Sequence, residues 1–200
     1  MGNAFRGIEN PKVAYIGAAN NDDPSFYKMA QPILKEAGAA DVVFVHLAKK
    51  KVDISAAKNI LADSDVIFLA GGDVEDGMKW LTQCDLIDFL KDLYRAGKRF
   101  MGISAGVIMM GAHWVCWDNP EDDTSARIFD CLGFIPAVFD VHGEDDDWVE
   151  LKTALKLLGK GSRGYALPRD SMITADSQGN FVNVKKKYLS YVFDEQIRLL

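Results

Sequence analysis

Arg99-Phe-Met-Gly-Ile103 is a short apolar run, Ser104-Ala-Gly106 follows it directly, and Val107-Ile-Met-Met110 continues in helix-compatible sequence. A Gly-x-Ser-x-Gly placed between a buried strand and a helix is the context of a nucleophile turn. Small residues flank the serine because a strand-to-helix turn this tight leaves no room for side chains beside the backbone. Such a turn lifts the hydroxyl above the edge of the sheet. It also places the following amides, beginning with that of Ala105, at a helix N-terminus, where partial positive charge stabilises an oxyanion.

Working upstream, the same grammar repeats. Lys12-Val-Ala-Tyr-Ile-Gly17 is an apolar run ending at glycine, and Asp22, Asp23 and Ser25 offer caps for a helix toward Glu36, with Pro32 set against its start or straightness. Asp41–Leu47 is a second strand, after which Asp53 caps a helix over Ile54–Ala62. Val66–Ala70 is a third, ending in Gly71-Gly72, with a helical region over Asp73–Leu81. Leu86, Phe89, Leu90 and Leu93 then share one helical face before the strand at Arg99. Continuous apolar strands alternating with helices indicate βαβ units, right-handed crossovers and a mainly parallel sheet covered on both faces.

Downstream of Gly111 the pattern changes. Trp114–Trp117, the acidic run Asp118–Asp123 and the segment Ile128–Asp140 read as loop-rich. Trp148, Leu151, Leu155 and Leu158 mark an amphipathic helix that stops at Gly159-Lys160-Gly161. Short strands are expected around Gly164–Pro168, Ser171–Ala175, Phe181–Val184 and Tyr188–Phe193, with a turn at Gln178-Gly179-Asn180.

The totals are those of an ordinary globular α/β chain. The 200 residues suit a single domain spanning 1–200, and 48% hydrophobic with 26% charged residues argue against disorder. A net charge of −6 speaks against a nucleic-acid partner. Cys84, Cys116 and Cys131 are odd in number and lack metal-ligand spacing, so reduced core thiols are expected and neither a disulfide framework nor a metal site is. No apolar run reaches 18 residues and the first residues do not resemble a signal peptide, so the expectation is a cytoplasmic protein without a membrane partner. A homodimer stays open.

A serine nucleophile at neutral pH needs a base, and the candidates are His46, His113 and His142. His46 lies inside the second strand, and His113 follows the elbow helix too closely to turn back onto Ser104. His142 ends the apolar run Ile135–Val141 at the polar loop Gly143-Glu144-Asp145, where a strand-end base belongs. Gly71-Gly72 ends its strand at the same carboxyl edge as Ser104, and a glycine amide there can supply a second oxyanion donor. The plainer reading of these glycines, a turn opening a helix capped by Asp73, is compatible with that role.

Three stretches together, Phe68-Leu-Ala-Gly-Gly-Asp73, Gly102-Ile-Ser-Ala-Gly106, and Phe129-Asp-Cys-Leu-Gly-Phe-Ile-Pro136 through His142, make the chain resemble the dipeptidase E and cyanophycinase family of serine peptidases. That family belongs to the class I glutamine amidotransferase-like superfamily. The resemblance implies a three-layer αβα, flavodoxin-like fold with a mainly parallel central sheet. It also implies Ser104 as nucleophile, His142 as base, the Gly72 and Ala105 amides as oxyanion hole, and no cofactor or metal. The implied reaction is hydrolysis of peptide bonds next to aspartate, either in short peptides or in an aspartate-arginine polymer.

Departures from the family fall on the substrate contacts and the acid. Asp73 stands where asparagine is usual, which removes the contact to the substrate amine or makes it ionic; Arg169 stands where relatives often carry glutamate. Gly71, Asp73 and Arg169 are the substrate-binding candidates, with Arg127 and Arg163 as further guanidinium groups for an acidic side chain. The triad acid is open among Asp118, Glu121, Glu144 and Asp170, with Asp118 first because the resemblance places it near the acid of dipeptidase E, in the loop after the elbow helix. Two competing functions share the nucleophile: a small esterase-type serine hydrolase, and a catalytically silent relative that acts as a binding protein.

Overall fold

The computed structural model describes residues 5–119, 121–175 and 181–200. The chain divides into two compact units, Met1–Val107 and Ile108–Leu200.

The first unit is a four-stranded parallel sheet flanked by helices. Strands β1 (Lys12–Ile16), β2 (Asp41–Val45), β3 (Val66–Leu69) and β4 (Arg99–Gly102) stand in the order β2-β1-β3-β4. Every ladder is parallel, with Ile16 opposite both Val45 and Leu69, and Leu69 opposite Gly102. Burial of Val13–Ile16 on β1 and of the whole of β3 explains why neither stretch carries a charge. Tyr15, Phe68, Val13 and Val66 share a core with Leu34 and Val42.

The connections are helices α1 (Pro24–Glu36), α2 (Ile54–Asp63), α3 (Val74–Gln83) and α4 (Ile87–Arg95), and α5 (Ala105–Met110) follows β4. Three begin on the aspartates that the sequence offers as caps: Asp23 accepts from the Ser25 amide, Asp53 from Ala56 and Asp73 from Asp76. Two details differ from the sequence reading. α1 starts with Pro24 in its first turn and runs unbroken through Pro32, which removes one main-chain donor without ending the helix. Asp22 does not cap it; the side chain is buried and accepts from the amides of Leu47 and Ala48, tying the loop after β1 to the end of β2.

In the second unit the segment read as loop-rich contains three strands. β5 (His113–Trp117) and β6 (Ala126–Asp130) pair antiparallel, and β7 (Val138–Val141) is parallel to β8 (Arg163–Leu167). A second antiparallel pair is formed by β9 (Met172–Ala175) and β10 (Phe181–Lys185). β11 (Leu189–Asp194) and β12 (Gln196–Leu199) complete a mixed sheet ordered β12-β11-β8-β7. β12 lies beyond the last strand expected from the sequence, and the turn expected at Gln178-Gly179-Asn180 lies outside the described residues. Helix α6 (Val149–Leu158) ends at Gly159, which takes φ +85°, as its glycines suggest. It lies so close to β8 that a Cβ on Gly164 would come within 2.4 Å of the Leu151 side chain.

Asp140 on β7 is 2% exposed, and its carboxylate accepts from the Leu151 amide in the first turn of α6. Burial, reinforced by the negative charges of Glu150 and Asp146, pushes its pKa up to about 7 against the opposing pull of the Leu151 and Val141 amides. The folded-state value lies above the unfolded one, so the cost is absent below pH 4. It grows as the unfolded chain ionises and is complete above pH 7. Asp140→Asn is therefore expected to match the parent at pH 4 and to exceed it at pH 8 by about 3–4 kcal/mol. Thermal unfolding at the two pH values checks this; equal pH slopes for both proteins would refute it.

All three cysteines are buried and none forms a disulfide. Burial pushes the Cys131 thiol up to about 12. No helix among the described residues is long and apolar enough to cross a membrane.

Candidate active site

Parallel strands direct their carboxyl ends to one edge, and in the order β2-β1-β3-β4 the chain changes direction between β1 and β3, where α/β sheets open a crevice. Three turns meet at that edge: Ala18–Asn20 after β1, Gly71-Gly72 after β3, and Ser104 after β4.

The serine turn is held by backbone contacts. The Ile103 amide donates to Leu69 O at 3.2 Å, after which Gly106 N returns to Ile103 O at 2.9 Å and Val107 N to Ser104 O at 2.8 Å. Ser104 takes φ +52°, a conformation that costs an L-residue with a side chain about 1–2 kcal/mol. Both flanking glycines are demanded by packing. A Cβ on Gly102 would lie 2.6 Å from Gly106 O, and one on Gly106 would lie 2.1 Å from Leu69 O. The Ala105 amide, first in α5, has no carbonyl behind it within the helix.

Gly71 faces the nucleophile, since a Cβ there would be 3.2 Å from Ser104 Cβ and 3.8 Å from its Oγ. Gly72 takes φ +145° and passes so near the first turn that a Cβ would meet Ala19 O at 2.0 Å. The arrangement is pinned by residues absent from the sequence reading. Asn20 donates from Nδ2 to Gly71 O at 2.9 Å, and Asn21 accepts from Trp80 Nε1 at 2.7 Å while donating to Asp76. The signal available for them was two side-chain amides directly after a glycine-ended strand, a position where asparagine closes turns. Asp73 spends one oxygen on the cap of α3.

Beside Ser104 lies a cavity of 270 Å³ whose walls include Tyr15, Met29, Ile33, Phe68, Ile103 and Ser104 itself. It also went unread in the sequence, although Phe26, Met29, Ala30 and Ile33 recur at i, i+3, i+4, i+7 along α1.

In the second unit His142 directly follows β7 at φ +67° and is exposed. The four candidate acids lie in the same unit. Asp118 accepts from Arg127 Nε at 2.7 Å, across the ends of β5 and β6. Glu144 accepts from the Arg169 amide, which holds its carboxyl below the ordinary value. Asp170 lies 3.7 Å from Lys186 Nζ, and Glu121 is exposed. No hydrogen bond among the described residues joins any of them to His142. The Arg169 guanidinium meets Asp145 at 2.9 Å. His113, read as unsuited to serve as the base, pairs through Nδ1 with Asp130 at 2.9 Å.

The residues brought together within the first unit are thus Ser104, Gly71, Gly72 and Ala105, an elbow and glycine turn on adjacent strand ends. A serine on a glycine-flanked turn at the carboxyl edge of a parallel sheet is the arrangement of nucleophile-elbow hydrolases. Comparison with known proteins narrows the class: the model of peptidase family S51 matches residues 2–177, and the chain belongs to that family. It is a serine-type peptidase. Peptidase E of Haemophilus influenzae is 26% identical over 194 residues, covering 92% of this chain and 85% of its own length. Two crystal structures share the fold. A peptidase from an acI-B1 Actinobacterium aligns with a TM-score of 0.71 at 15% identity, covering 98% of this chain and 83% of its own. A peptidase E-like protein from Listeria monocytogenes EGD-e aligns with a TM-score of 0.64 at 16% identity, covering 94% and 89%.

Proposed function

We propose that the protein hydrolyses short peptides through an acyl-enzyme on Ser104, with His142 as general base. The observation that carries this is the backbone of Ser104, held at φ +52° between two glycines that packing forbids to carry side chains. Strain of this kind persists where the surroundings over-determine it, and here it raises a hydroxyl beside the glycine turn of the neighbouring strand.

In the proposed reaction His142 takes the Ser104 proton as Oγ attacks the peptide carbonyl, and the amides of Gly72 and Ala105 receive the oxyanion. The carbon–nitrogen bond then breaks as the imidazolium returns its proton to the leaving amine. Water, deprotonated by the same imidazole, releases the acyl group and restores Ser104. Asp118 is assigned the orientation of the imidazole. Asp73 is assigned the substrate's amino group, through the oxygen left over from capping α3, with Gly71 and Arg169 as further substrate contacts. The reading needs no metal or cofactor.

A fluorophosphonate probe tests the nucleophile. Labelling of the wild-type protein, mapped by peptide mass to Ser104, is expected to vanish in Ser104→Ala and to fall at least about 10²-fold in rate in His142→Ala. A folded wild-type protein that resists the probe would sink the hydrolase reading in favour of a silent binding protein. Labelling accompanied by turnover of simple esters, with none of di- and tripeptides, would replace peptidase by esterase.

A further inference from the structure

Resting on that acyl-enzyme reading, we propose that the cavity beside Ser104 is a subsite for an apolar side chain on the acyl side of the scissile bond. The substrate class it selects is peptides whose carbonyl-donating residue is aliphatic or aromatic rather than acidic.

The wall is apolar to an extent the fold does not require. Phe26 is 39% exposed, Met29 58%, Ile33 51% and Ile103 47%, and all four line this one space. α1 satisfies the core with other residues: Leu34 is 1% exposed and Tyr27 stacks on Phe44 at 4.7 Å. Phe26, Met29 and Ile33 therefore form a second apolar face, left in water at a cost that folding alone does not recover.

The cavity's place in the fold points to substrate. Its floor comes from β1 and β3 through Tyr15, Phe68 and Ala70, and it opens onto Gly71, Gly72 and Ser104. A helix stripe meant for a second copy of the chain would not need a concave floor reaching a nucleophile. A volume of 270 Å³ falls just below the range of sites for drug-sized ligands, and so suits one side chain. None of the lining residues is charged, so an aspartate side chain would lose its hydration there without a cation in return. The acyl group is the part of the substrate that stays bonded to Ser104 Oγ until water releases it. A pocket continuous with that residue acts on both half-reactions.

The test compares p-nitrophenyl acetate, butyrate and hexanoate, and then dipeptides with leucine, phenylalanine or aspartate at the amino-terminal, carbonyl-donating position, with sedimentation velocity run in parallel. The kcat/KM for hexanoate is expected to exceed that for acetate by tenfold or more, as partial burial of four methylenes requires. Leucyl or phenylalanyl dipeptides should exceed the aspartyl one by a similar factor. Met29→Trp, at an exposed position, narrows the cavity and should lower the hexanoate-to-acetate ratio at least fivefold, a ratio insensitive to the fraction of folded protein. A flat chain-length profile, or a preference for aspartate, with Ser104 still labelled by fluorophosphonate would overturn the subsite and leave the hydrolase reading standing. A wild-type dimer that Met29→Trp dissociates, with the ratio unchanged, would assign the face to a second copy and likewise overturn it. Failure of the labelling itself would remove both.

Discussion

Gly106→Ala is expected to destroy the elbow and, with it, much of the stability of the first unit. The new methyl would stand 2.1 Å from Leu69 O and 2.7 Å from Leu69 C, both main-chain atoms of the buried strand β3. β3 is paired on one side to β1 and on the other to β4, so it cannot retreat without breaking two ladders. A flexible side chain would yield; this backbone does not. A loss of about 3 kcal/mol or more is expected, read as a lower urea midpoint with unchanged slope, together with loss of fluorophosphonate labelling. An unaltered midpoint would show that α5 can shift away from the sheet.

Ser104→Gly should have the opposite effect on stability while removing activity altogether. Glycine accepts φ +52° without the penalty that serine bears there, though it raises the entropy of the unfolded chain. The balance favours the variant by about 0.5–1 kcal/mol. With Oγ gone no acyl-enzyme can form, and kcat should fall at least about 10³-fold. Two substitutions two residues apart would then both abolish turnover, one by unfolding the elbow and one by relaxing it. A Ser104→Gly protein less stable than its parent would mean that the hydroxyl contributes more to the fold than the strained backbone costs.

The elements of the first unit follow from local signals that agree with the final packing. Val13–Ile16 of β1 and all of β3 are buried on both faces and carry no charged residue, while Asp23, Asp53 and Asp73 cap helices where short polar side chains best serve free amides. The β5–β6 pairing is not legible because residues 118–125 between its strands mark a loop but supply no two-residue hairpin turn to set a register. β12 is not legible for a different reason: Gln196–Leu199 is mostly exposed and owes its form to pairing with β11.

At the site, Ser104 and its glycines were legible because a tight turn restricts which residues can occupy it, and that restriction is written in one short stretch. Membership of peptidase family S51 was legible in the order and spacing of three such stretches. Asn20 and Asn21, which fix the glycine turn, and the apolar cavity were not, because each depends on residues from different strands arriving at one sheet edge. The sequence alone determined the glycine-flanked serine turn, the mainly parallel sheet of a βαβ fold and the family. Tertiary structure alone decided that Gly71 faces Ser104, so closely that a Cβ there would lie 3.2 Å from Ser104 Cβ, and that the second apolar face of α1 lines the same cavity as the serine. Local spacing can specify a turn or a helix face, but which faces meet is settled only when β1, β3 and β4 pair and bring their ends together.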